Sequence, residues 1–142
     1  MGSAMRILIA DDDRISRQFL LGWLQPYGEC DVATNGSEAF DAFKMAFHGG
    51  QPYDLVCLDY MMPDRSGLDA LADIREFEET HAVSEADHAK IDIITCLEEP
   101  YHSRKAFYRR CDAYLFKPLD KRKLFQELGK LGLSMRETTA TN

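Results

Sequence analysis

Five times along this chain a short apolar run gives way to residues with helical spacing, and that alternation leaves few folds open. The runs are Met5–Ala10, Cys30–Thr34, Tyr53–Leu58, Ile91–Thr95 and Ala113–Phe116. Each is too compact for a helix and apolar at consecutive positions, as a parallel strand buried on both faces would be. Between them, Ile15, Phe19, Leu20 and Trp23 recur at helical intervals until Pro26-Tyr27-Gly28. Ala39, Phe40, Phe43 and Phe47 do so until Gly49-Gly50, with Ser37 as candidate N-cap, and Leu68, Leu71, Ala72, Ile74 and Arg75 run towards Glu79. A fourth helix is expected over Glu99–Arg110, with Pro100 in its first turn. A fifth runs from Asp120 as N-cap through Leu124, Phe125, Leu128 and Leu131. Strand–helix alternation builds a parallel sheet with right-handed crossovers and helices on both faces. The segment Thr80–Lys90 has no clear period and reads as an extended loop or an extra helical turn. Asp92 interrupts the fourth strand, so that end is expected to meet solvent or a paired cation, because a buried, unpaired Asp is costly.

The 142 residues suit one domain with a sizeable core. Residues 5–133 are assigned to it. Residues 1–4 read as a remnant ahead of a native Met5, and residues 134–142 as a polar, frayed tail. No second domain and no DNA-binding module is expected. A net charge of −7 argues against a nucleic-acid surface built on bulk charge, leaving only a local basic patch at Arg104, Lys105, Arg109 and Arg110. No apolar run is long enough to span a bilayer. Cys30, Cys57, Cys96 and Cys111 form no CxxC pair and read as reduced thiols of a cytoplasmic protein.

The chemistry gathers where strands end. The first run ends in Asp11-Asp12, the third in Asp59, the fourth in Thr95, and the fifth in Lys117. In a parallel sheet these ends share one edge, which therefore collects three carboxylates, a hydroxyl and an ammonium. Like charges at close range raise each other's pKa or demand a cation. Hard oxygen ligands of this kind suit Mg²⁺, and a carboxylate can attack phosphorus to give an aspartyl phosphate. Each piece alone has a bland reading: an Asp pair as a helix cap, Lys-Pro as a turn. Their joint placement at four strand ends does not.

On these residues the chain resembles a response-regulator receiver domain of two-component signalling, similar to chemotaxis regulators. Ile-Leu-Ile-Ala-Asp11-Asp12-Asp13 is similar to the family's acidic motif, and Ala33-Thr34-Asn35-Gly36-Ser37-Glu38-Ala39 to its second turn. Asp59 through Met62-Pro63 to Gly67 is similar to the phosphoacceptor motif, and Tyr114-Leu115-Phe116-Lys117-Pro118 to the aromatic and lysine motif. The resemblance implies a flavodoxin-like sheet of order 2-1-3-4-5 and a phosphoryl group accepted on Asp59. It implies Mg²⁺ held by Asp12, Asp59 and the Met61 backbone carbonyl, with Asp11 acting through water. Lys117 would contact a phosphate oxygen and Thr95 another, with Tyr114 turning inward behind it. The Lys117–Pro118 bond is expected to be cis. The implied partners are a sensor histidine kinase or histidine phosphotransfer protein. A downstream protein or a second copy would dock on the fourth helix, fifth strand and fifth helix through Tyr101, Phe107, Tyr108, Tyr114 and Lys121.

Met61 and Leu97 occupy the family's two lifetime-tuning positions. Both are apolar and unable to orient an attacking water, so slow autodephosphorylation is expected. Cys96 stands where relatives often carry a small residue; a half-buried filler is the plainer reading, a redox-sensitive thiol the sharper one. Arg110-Cys111-Asp112 replaces a turn that often holds Gly. His81 and His88 make a weak metal pair in the 80–90 stretch. Two other readings remain: a haloacid-dehalogenase-type phosphatase using Asp11 and Asp13 as an Asp-x-Asp motif, and a degenerate receiver serving only as a scaffold.

Overall fold

The computed structural model describes residues 5–95 and 110–135. Their order is β1 (Met5–Ala10), α1 (Arg14–Leu24), β2 (Gly28–Ala33), α2 (Gly36–His48), β3 (Leu55–Asp59), α3 (Gly67–Thr80), β4 (Lys90–Thr95), β5 (Ala113–Phe116) and a C-terminal helix (Lys121–Lys130). The helix expected over 99–110, with Tyr101, Phe107 and Tyr108, lies outside the described residues except at Arg110. So do Cys96 and Leu97.

All four strand pairings are parallel, in the order β2-β1-β3-β4-β5. β1 and β3 are buried from both sides because alternate residues feed two cores. Leu8, Val56, Leu58, Ile91 and Ile93 pack beneath α2 and α3. Ile7, Ile9, Leu55, Cys57, Ile94 and Leu115 pack with Leu20 and Leu24 of α1 and with Leu124 and Leu128 of the C-terminal helix. This is why the strands read as continuous apolar runs.

Helix starts follow side-chain chemistry. Asp13 caps α1, Asp120 caps the C-terminal helix, and Ser66 forms a reciprocal capping box with Asp69 at α3. The cap of α2 is Asn35, not Ser37: its side chain accepts from Glu38 N at 2.8 Å, and Ser37 lies inside the helix. β2 starts two residues earlier than the apolar run suggests, at Gly28. That glycine passes so close to β1 that a Cβ would stand 2.0 Å from the Met5 carbonyl oxygen. The 80–90 stretch is a loop with a single turn of 3₁₀ helix at Glu85–Asp87.

Two polar groups depart from expectation. Asp92 reaches neither solvent nor a cation among the described residues. It is fully buried, and neither carboxyl oxygen has a hydrogen-bond partner. The register sets Asp92 between Cys57 and Ala113 on neighbouring strands, inside the sheet, and a short β-strand cannot turn one residue outward without turning its neighbours inward. Arg75, which reads as one more helical position, is buried at the strands' starting edge. It donates to Glu78 Oε1 (2.8 Å), Asp112 Oδ2 (2.9 Å) and the carbonyls of Ala89 and Arg110 (both 2.9 Å). This clasp explains how Arg110-Cys111-Asp112 turns into β5 without a glycine.

Candidate functional site

β1 delivers Asp11 and β3 delivers Asp59 to the finishing edge of the sheet, and both are buried. Asp11 is held from three sides. Its N–H donates to the Ala33 carbonyl (3.1 Å), its Oδ1 accepts from Asp13 N (2.8 Å), and its carbonyl accepts from Arg17 Nη1 (2.7 Å). Asp12, between two fixed neighbours, is exposed. One oxygen from each of Asp11, Asp12 and Asp59 lies within 4.8 Å of the others.

Lys117 enters from the end of β5, where its N–H donates to the Thr95 carbonyl at 2.8 Å. The Lys117–Pro118 peptide is cis. Its Nζ stands 3.3 Å from Asp11 Oδ2 and 3.6 Å from Asp59 Oδ2. The first contact is an ion pair without hydrogen-bond alignment, so Asp11 Oδ2 is a buried oxygen with no hydrogen-bond partner. Asp11 and Asp59 thus share one ammonium, with the Asp12 carboxylate beside them. Burial, then the neighbouring Asp11 charge, push the Asp59 carboxyl up to about 7 against the pull of Lys117. Burial alone would lower the Lys117 pKa, but Asp59 and Asp11 outweigh it and hold the ammonium above its ordinary value.

The turn after Asp59 is braced from both ends. Gly67 N donates to the Tyr60 carbonyl (3.0 Å), and a Cβ on Gly67 would stand 2.2 Å from the Asp59 carbonyl oxygen. Asp64 takes a positive φ of 72°, a conformation Asp tolerates better than most residues. Arg65 grips Asp73 of α3 with two hydrogen bonds, 2.8 and 3.0 Å.

Of the residues singled out in the sequence, Asp11, Asp12, Asp59 and Lys117 converge here, and Thr95 ends β4 as the strand's neighbour to Phe116. The Met61 side chain is 56% exposed beside the turn. Tyr114 is part-exposed on β5, edge-on to Phe116 at 5.8 Å. Lys121 lies over the Phe125 ring, 5.6 Å from its centroid. Sequence reading missed one surface. Ile15 and Phe19 face solvent rather than the core, and Phe19 stacks on Trp23 at 5.4 Å. Helical spacing alone does not distinguish this stripe from the Leu20–Leu24 stripe that is buried.

The donor set fits a hard divalent cation: three carboxylates offer oxygens within 4.8 Å of one another, and one Asp11 oxygen has no hydrogen-bond partner. Residues 7–129 match the family model of the response regulator receiver domain.

The chain belongs to that family.

Among relatives of this receiver is the chemotaxis protein CheY of Treponema pallidum, 29% identical over 134 residues, covering 92% of this chain and 84% of that protein. Another is hybrid signal transduction histidine kinase K of Dictyostelium discoideum, 35% identical over 78 residues, which span 54% of this chain but 6% of the kinase. Similar solved structures include the CheX–CheY–BeF3–Mg²⁺ complex of Borrelia burgdorferi (TM-score 0.77, 25% identity, 94% of this chain and 92% of that one). TrrA of Thermotoga maritima in complex with Mg²⁺–BeF has a TM-score of 0.69 and 35% identity over 89% of this chain and 98% of that one. The Ssk1 receiver domain in its co-crystal with the phosphotransfer protein Ypd1, from Saccharomyces cerevisiae, has a TM-score of 0.76 and 25% identity, over 93% and 91%. Receiver domains are phosphoacceptor switches. No helix among the described residues is long and apolar enough to cross a membrane.

Proposed function

We propose that this receiver accepts a phosphoryl group on Asp59 and passes the signal on through the surface of β5 and the C-terminal helix. The observation that carries the reading is the charge deficit at the pocket: among the described residues, three carboxylates, one ammonium and an Asp11 oxygen without a hydrogen bond. Asp11, Asp12, Asp59 and the Met61 carbonyl would hold Mg²⁺, Asp11 through water. When bound, the ion supplies positive charge to the transferring phosphoryl group. The chain's own residues do the rest. An Asp59 carboxylate oxygen forms the new bond to phosphorus while the donor's bond to phosphorus breaks and its electron pair leaves with the donor. Lys117, already 3.6 Å from Asp59 Oδ2, neutralises a phosphoryl oxygen. The Thr95 hydroxyl donates to another, and Tyr114 moves from its part-exposed position towards the space behind Thr95. These contacts favour one of two pre-existing arrangements.

The donor is a histidine kinase or a histidine phosphotransfer protein. It must reach Asp59 past the start of α1, where the exposed Ile15 and Phe19 offer an apolar seat. On the output side, Tyr114 and Lys121 would meet a downstream protein or a second copy; Tyr101, Phe107 and Tyr108, assigned to the same surface, lie outside the described residues. Met61 and Leu97 cannot orient a water, which supports a long-lived phosphoprotein. The phosphatase reading is weaker, because Asp13 is already committed. It accepts from Ser16 Oγ (2.8 Å) and from the N–H groups of Ile15 and Ser16.

With acetyl phosphate, labelling should require Mg²⁺ and should slow by about tenfold or more in Lys117→Ala, since charge stabilisation of this kind is worth a few kcal/mol. Labelling that survives chelation unchanged would sink the proposal. The Met61→Asn/Leu97→Glu double variant should lose phosphate faster than wild type; an equal rate would refute the lifetime reading.

A further inference from the structure

His81 does not pair with His88. His88 turns away, with Nε2 3.1 Å from the Val83 carbonyl and Nδ1 3.6 Å from buried Glu78. The ring beside His81 is that of His48, 33 residues earlier in the chain, with centroids 5.6 Å apart and planes at 71°. We propose that His48 and His81 form a two-imidazole site for a borderline divalent transition cation such as Zn²⁺, Ni²⁺ or Cu²⁺, joining the end of α2 to the end of α3.

Four features of the pair point to a ligand rather than to two rings that happen to touch. First, the ring spacing is compatible with a shared ion. With metal–nitrogen bonds of about 2.1 Å, two imidazoles on one tetrahedral ion place their centroids roughly 5–5.5 Å apart. Second, the tautomer of His81 is set. Its Nδ1 lies 2.9 Å from the Phe77 carbonyl, which can only accept, so Nδ1 donates there and Nε2 is the nitrogen left to face an ion. A backbone carbonyl on the far nitrogen is the usual outer support of a metal-binding histidine. Third, the rings are held before any ion arrives. His81 stacks on Phe77 at 4.0 Å, and His48 packs against Phe47 and Phe77 at 5.6 and 5.7 Å. Fourth, His48 lies in the last turn of α2 and His81 caps the C-terminus of α3, where the unpaired carbonyls of both helices favour positive charge. Both residues are exposed, so an ion has access.

Imidazole selects Zn²⁺, Ni²⁺ or Cu²⁺ over Mg²⁺. The helices run back against the strand direction, so this pair sits at the opposite edge of the sheet from Asp59. Among the described residues the only cluster offering three ligands is Asp11–Asp12–Asp59. The histidine site would therefore complete its shell with water and bind in the micromolar range rather than more tightly.

The test is Zn²⁺ titration of the intact chain in saturating Mg²⁺, which fills the carboxylate pocket, read by calorimetry and by the histidine ring protons in NMR. Wild type should bind one equivalent and shift the His48 and His81 rings together. His48→Gln and His81→Gln should each weaken binding about tenfold or more, and His88→Gln should leave it unchanged. The thermal midpoint should rise with Zn²⁺ in wild type and not in His48→Gln. Binding that persists in both His48→Gln and His81→Gln, or that vanishes only in His88→Gln, would overturn the proposal. So would the absence of binding in wild type up to millimolar Zn²⁺.

Discussion

The two edges of the sheet both bury charge, and they treat it in opposite ways. At the starting edge, Arg75 is met by Glu78 and Asp112, and each of those carboxylates also accepts a backbone N–H, from Ala89 and Ile91 respectively, at 2.8 Å. Each guanidinium nitrogen of the clasp has an acceptor. At the finishing edge, Asp11, Asp12 and Asp59 stand together with one ammonium among the described residues, which pairs with Asp11 and Asp59, and an Asp11 oxygen has no hydrogen bond. The first arrangement is complete as it stands, so its role is structural: it ties α3 to the starts of β4 and β5. The second has an electrostatic deficit that a cation and a phosphoryl group can fill, as the proposed function requires. Burial of charge alone does not mark a functional site; incomplete neutralisation beside a solvent opening does.

Asp92 refines the contrast. It too is buried and short of partners, yet among the described residues it has no ammonium beside it, and it has no opening to solvent. Burial, with Glu127 and Asp112 adding to it, pushes its carboxyl up to about 7, which favours the protonated form within an apolar layer. Asp59 reaches a similar value with a counter-charge in place and two further carboxylates beside it.

The largest test of the comparison is to break the completed edge. Arg75→Met strips Glu78 and Asp112 of their cation and should cost about 3–5 kcal/mol in urea unfolding. A cost under 1 kcal/mol would mean that the clasp is not the structural end.

Next comes Asp92→Leu, which should stabilise the protein by roughly 2–4 kcal/mol at pH 8. The folded state holds the Asp92 proton more tightly than the unfolded chain does. Its contribution is therefore greatest below the ordinary carboxylate value of 3.8 and is lost as pH rises to about 7. Stability measured from pH 4 to 8 should fall less steeply in Asp92→Leu than in wild type; the slope that remains belongs to Asp59. Identical slopes would show that Asp92 is ionised or hydrated in the native state.

The smallest effect should come from Asp59→Asn without Mg²⁺. Removing one of three crowded charges should raise stability by on the order of 1 kcal/mol, the opposite sign to Arg75→Met. A destabilisation would mean that the pocket is neutralised after all.

The finishing edge was legible in the sequence because its residues stand at strand ends. Once five parallel strands are inferred, Asp11, Asp12, Asp59, Thr95 and Lys117 are brought to one edge by topology alone. The clasp was not legible: Arg75, Ala89, Arg110 and Asp112 come from three separate segments, and nothing local distinguishes a buried Arg from an exposed one. Asp92 was misread for a related reason. A polar residue in a strand suggests an opening, but register placed it between Cys57 and Ala113. The His48–His81 contact depends on how two helices end against each other, which no spacing within either helix encodes. The α1 stripe shows the limit of periodicity itself: it marks a helix without saying which face turns inward.

The most direct measurement is to find where the phosphoryl group sits. The protein is treated with acetyl phosphate and Mg²⁺, the acyl phosphate is trapped by borohydride reduction, and the modified peptide is located by mass spectrometry. The account predicts modification at Asp59 alone, absent in Asp59→Asn and retained in Asp13→Asn. Modification at Asp11, or unchanged labelling of Asp59→Asn, would contradict it.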